Sequence, residues 1–115
     1  MGNVYIEPHG DQSPGVLNTV AYDKLKRLVA LYDGWPELTR TDFRDGSSKE
    51  SASADQACGI AWSLDMALSD VPRHCSYREG CENPLTYWSG PRGRKWLRKI
   101  ARACHLGAVD FFINI

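Results

Sequence analysis

No run of apolar residues in this 115-residue chain approaches the roughly 18 that a membrane-spanning helix requires, so no membrane partner is expected. The start, Met1-Gly2-Asn3-Val4-Tyr5-Ile6-Glu7, lacks the basic opening and apolar stretch of a secretory signal. Ile6 stands where a myristoylation signal has Ser or Thr. The four cysteines are therefore expected in a reducing cytoplasm, where disulfides seldom persist. Internal repeats, low-complexity tracts, a Gly-rich phosphate loop, a His-Glu-x-x-His helix and a nucleophile elbow are all missing. These absences argue against an enzyme and leave no small-molecule substrate to infer. Net charge is missing too, with 14 Lys and Arg against 14 Asp and Glu.

That neutrality conceals a strong asymmetry. Residues 1–72 hold six cations and eleven acids, whereas Arg73 to His105 holds eight cations against Glu79 and Glu82 alone. One domain is expected over 1–115, with an acidic helical part to residue 72 and a basic, Cys/His-containing part from 73. Six cations, Arg92, Arg94, Lys95, Arg98, Lys99 and Arg102, fall within eleven residues that contain no acid, and Tyr87, Trp88 and Trp96 flank them. Such a segment either steers an anionic partner or docks on the acidic part of its own chain.

Periodicity predicts mainly α structure. Val4 to Ile6 reads as a short strand followed by a loop to Gly15. Ala21, Leu25, Leu28, Val29 and Tyr32 share one helical face, with Asn18 or Thr19 as N-cap and Asp33-Gly34 as the stop. Thr39 to Ser51 is polar, contains Asp45-Gly46, and reads as a surface loop. Ser53, with Gln56 three residues on, opens a second helix running to about Leu68. Trp96, Leu97, Ile100, Ala101 and Cys104 then form an apolar stripe opposite the cations, with Ser89-Gly90-Pro91 as a helix start. The competing reading is a hairpin near 85–103. The expected fold is thus about three helices with short terminal strands or that hairpin, a small α+β arrangement being the variant. The expected core is Leu25, Leu28, Val29, Tyr32, Cys58, Ala61, Leu64, Leu68, Leu97 and Ile100.

Cysteine positions raise a metal. A zinc site needs four soft or borderline donors converging tetrahedrally, and Cys75, Cys81, Cys104 and His105 are the right types, with His74 as a substitute for the fourth. The spacing is loose, and free Cys is as readily a small buried hydrophobe. The run from Cys75 to Trp88, with Cys104-His105-Leu106 after a Gly/Arg-rich turn, resembles the small treble-clef zinc proteins of actinobacteria and their phages. The resemblance implies a metal-stapled knuckle and hairpin, a helix opened by the Cys and His, zinc as cofactor, and a binding role. It departs from that pattern in having no residues between Cys104 and His105, where two are usual.

Function is therefore expected from binding: a small cytoplasmic regulatory protein, of the kind phages encode, that docks through Arg92, Arg94, Lys95, Arg98, Lys99, Arg102 and Trp88 on an acidic host protein or on nucleic acid. A zinc-stapled nucleic-acid-binding module is the alternative. A small hydrolase using Cys75 or His9 is the third reading.

Overall fold

The computed structural model describes residues 2–10, 12–71 and 84–114. It is an α+β fold built on five antiparallel strands, which corrects the mainly α expectation. The strands are β1 (Asn3–Pro8), β2 (Val16–Asn18), β3 (Thr39–Asp42), β4 (Ser48–Ala52) and β5 (Val109–Asn114), in the spatial order β2-β1-β5-β4-β3. The helices are α1 (Thr19–Ala30), α2 (Ala54–Asp70), the short α3 (Pro84–Tyr87) and α4 (Pro91–His105).

β5 is the element that joins the sheet. It pairs with β1 from Asn3↔Asn114 to Pro8↔Val109, and with β4 from Ser48↔Ile113 to Ala52↔Val109. The last strand of the basic part thus lies between strands of the acidic part, so the two charge halves interleave and are not separate lobes. Val4, Ile6, Ala52, Val109 and Phe111 share the buried face of the sheet, as expected when alternate residues point the same way. They pack against Leu25, Leu28, Leu64, Leu97 and Ile100 of the helix layer. The other face is open and carries the row Val16, Tyr5, Phe112, Lys49, Thr41.

Helix starts follow local chemistry. Asn18 caps α1 by accepting from the Ala21 N–H at 2.7 Å, and Ser53 and Gln56 close a reciprocal capping box on α2. The polar stretch read as a loop over 39–51 is instead the β3/β4 hairpin. Phe43 N–H bonds the Ser47 carbonyl at 2.9 Å, and Gly46 takes the positive φ of 89° that the turn demands. β3 has no buried residue, so hydrophobic alternation had nothing to signal there. The hairpin alternative near 85–103 is also corrected, because that stretch forms α3 and α4.

One core residue is misplaced by the sequence pattern. Cys58 faces solvent, while Ala57, Ile60, Ala61, Ser63, Leu64 and Ala67 form the inward side of α2. Small residues bring α2 close to its neighbours, and the larger Trp62 and Met66 are left outside. No helix among the described residues is long and apolar enough to cross a membrane.

Candidate polyanion-binding face of α4

α4 is held at both ends. At its start, Gly90 provides an extended N-cap without a side-chain bond, Pro91 occupies the first turn, and the Arg94 N–H bonds the Gly90 carbonyl at 3.0 Å. Gly93 lies so close to the preceding segment that a Cβ there would come 2.7 Å from the Trp88 carbonyl oxygen. Arg94 Nη1 donates to the Val71 carbonyl at 3.0 Å, placing a cation at the negative C-terminal end of α2. At the far end, His105 Nε2 meets Asp65 Oδ2 of α2 at 2.6 Å.

Between these anchors Leu97, Ile100, Ala101, Ala103 and Cys104 point inward and are buried. Arg92, Lys95, Arg98, Lys99 and Arg102 are exposed. At 3.6 residues per turn these five span roughly 120° of the helix circumference and about 15 Å of its length. Arg92, Lys95, Arg98 and Lys99 make no ion pair with a carboxylate among the described residues. The acids best placed by sequence to neutralise them are engaged elsewhere: Asp65 by His105, and Asp70 by the Tyr32 hydroxyl at 2.6 Å. Lys99 Nζ lies 5.5 Å from the Trp96 ring centre. Beside this pair, Lys99 and Arg102 form one wall of an open cleft of about 290 Å³, whose other wall is Gln12, Ser13 and Pro14.

Trp88 does not belong to this face. It is 3% exposed within the core, and its Nε1 finds no hydrogen-bond partner among the described residues. Its indole is packed into the core, so it cannot stack on a partner. Trp96 is half-buried, its ring lying where a Cβ on Gly15 would approach it to 2.6 Å.

The metal donors divide. Cys75 and Cys81, with His74, lie outside the described residues. Cys104 is 1% exposed in the apolar core, and burial pushes its thiol up to about 12. His105, its neighbour, points to the exposed seam with Asp65. The two end α4 and do not open a helix, so the helix start implied by the treble-clef resemblance is not formed. No group of three or more His, Cys, Asp or Glu side chains able to hold a metal ion occurs among the described residues.

His9, the base of the hydrolase reading, contacts Asp110 Oδ2 through Nε2 at 2.9 Å. Burial raises the Asp110 carboxyl, but hydrogen bonds from Ser51 and His9, with the charges of His9 and Lys49, outweigh it and hold the group below its ordinary value. His9 thus meets a carboxylate, whereas a nucleophile is activated by a base in direct contact with it.

Sequence reasoning missed a partly buried polar cluster on the inner side of the sheet. Glu50, paired with Phe111 in the ladder, accepts from the Tyr22 hydroxyl at 3.0 Å and pairs with Lys26 at 3.2 Å. Burial, then the Glu50 charge, raises the Tyr22 phenol well above its ordinary value. Strand pairing brings these residues together, and no local spacing in the sequence announces it. The chain matches no known protein family, no curated protein and no solved structure.

Proposed function

We propose that the protein is a non-enzymatic binding and regulatory module that docks through α4 on an acidic protein surface. One observation carries this reading. The exposed side of α4 repeats cations at i+3 and i+4 with no acid on the helix, and Arg92 and Arg94 sit in its first turn, at the positive end of the helix dipole. Like charges at these spacings and cations at an N-terminus each oppose helix stability by some tenths of a kcal/mol. The repeated like charges and the cations of the first turn are costs to the helix that a polyanionic partner would offset.

An acidic protein is favoured over single-stranded nucleic acid because stacking needs accessible aromatic faces interleaved with the cations, and the exposed tryptophan, Trp62, lies on α2 and not among them. Trp88 is buried and Trp96 is packed against the Gly15 loop. The test is a titration with oligoglutamate and, separately, with single-stranded and duplex DNA, over a range of salt. The expected result is oligoglutamate affinity that falls with salt, is weakened by Lys95→Glu, and exceeds that for DNA at equal charge. Preferential binding of DNA would replace the acidic protein with a nucleic acid, and no binding of either would overturn the reading.

A further inference from the structure

The α4 cations border an apolar surface that the core does not use. On α2, Trp62 is 56% exposed and Met66, one turn later, is 43% exposed. Leu106, which follows α4, is 51% exposed. The contact of His105 with Asp65 fixes how these residues are placed, since Trp62 stands three residues before Asp65 and Leu106 directly follows His105. The same contact engages Asp65, and Tyr32 engages Asp70. Arg94 on the Val71 carbonyl holds the other end, so the outer sides of α2 and α4 form a continuous surface. Its α4 part is cationic, and its α2 part carries an exposed Trp and Met at helical i, i+4 spacing.

Resting on the reading of α4 as a docking face, we propose that the partner is an amphipathic acidic segment, whose carboxylates meet Lys95 and Arg98 while its apolar side chains cover Trp62, Met66 and Leu106. Charge complementarity selects the acidic side of such a segment, because the α4 part of this surface has no carboxylate of its own. The apolar side follows from Trp62: exposed tryptophan provides much binding energy when a partner excludes water from it, and a purely ionic partner would leave that area wet. A nucleic acid duplex would satisfy the cations and leave Trp62 and Met66 unused.

The experiment compares a helical peptide carrying glutamates on one side and leucines at i, i+4 beside them, a shuffled peptide of identical composition, oligoglutamate and a DNA duplex. Each is titrated into the full chain and into two variants, Trp62→Ala/Met66→Ala and Arg98→Glu/Lys99→Glu. The amphipathic peptide is expected to bind about tenfold tighter than the shuffled one, equivalent to about 1.4 kcal/mol. Trp62→Ala/Met66→Ala should remove that advantage while leaving oligoglutamate binding unchanged. Arg98→Glu/Lys99→Glu should weaken both. If both peptides bind alike and Trp62→Ala/Met66→Ala changes nothing, the apolar half is wrong and the α4 face stands. If Arg98→Glu/Lys99→Glu leaves every ligand unaffected, the α4 reading itself falls. If Trp62→Ala/Met66→Ala instead abolishes self-association seen by sedimentation, the apolar patch is covered by a second copy and the proposal is overturned.

Discussion

Among single residues, the two described cysteines differ most in chemistry. The thiolate is the reactive form, and burial raises the Cys104 thiol to about 12, so at neutral pH it stays protonated as well as inaccessible. Cys58 is exposed. Brief treatment with a maleimide, followed by mass-spectrometric mapping, should label Cys58 in the native protein and reach Cys104 only after denaturation. Prompt labelling of Cys104 would contradict its place in the core. Leu64 is fully buried at the centre of that core, and Leu64→Ala should cost about 2 to 5 kcal/mol, read as a fall in thermal midpoint. The sequence identified Leu64 correctly because it lies on a helical stripe, and it misplaced Cys58 because hydrophobicity alone does not say which side of a broad stripe faces in. Alanines and Ser63 occupy the inner side, where close approach of neighbouring elements favours small residues. Trp88 shows the same limit in reverse: an aromatic beside cations reads as a contact residue, yet here it fills the core.

For the elements, legibility depended on whether order came from local chemistry or from distant pairing. The starts of α1, α2 and α4 were readable from Asn18, from Ser53 with Gln56, and from Gly90-Pro91, because caps are made within a few residues. Ser53→Ala should therefore destabilise the protein by about 0.5 to 2 kcal/mol, and a loss of that size in chemical denaturation checks the cap. β3 and β4 were not readable, since their residues are largely polar and β4 is ordered by pairing with β5, about sixty residues away in sequence. Val109, Phe111 and Ile113 of β5 do alternate, and that is the signal from which the central strand was recoverable. Asp110 on this strand also gives the sheet a pH dependence. Its folded carboxyl titrates below the ordinary value, so its contribution is fully present above the ordinary carboxyl range and is lost as pH falls through the folded value. Asp110→Asn should remove part of the acid sensitivity of unfolding. An unchanged stability profile between neutral and acidic pH would show that the Ser51 and His9 contacts do not favour the charged form.

Across the whole molecule, a net charge of zero is divided between two interleaved halves, and on the exposed side of α4 Arg92, Lys95, Arg98 and Lys99 pair with no carboxylate among the described residues. The basic helix was legible in the sequence, because its apolar stripe and its cations both follow a period of 3.6. Whether those cations were consumed by Asp65 and Asp70 was not, since that depends on His105 and Tyr32 reaching the two carboxylates first. The most direct test is to measure thermal stability and oligoglutamate affinity together in Arg98→Glu/Lys99→Glu. The new carboxylates fall at i±3 and i±4 from Arg94, Lys95 and Arg102, so repulsions become attractions of about 0.2 to 0.5 kcal/mol per pair. The expected result is a thermal midpoint equal to or above that of the natural chain, with affinity for the acidic probe largely lost. A midpoint that falls by several degrees while affinity per folded molecule is unchanged would contradict it, and would make the α4 cations an internal clamp.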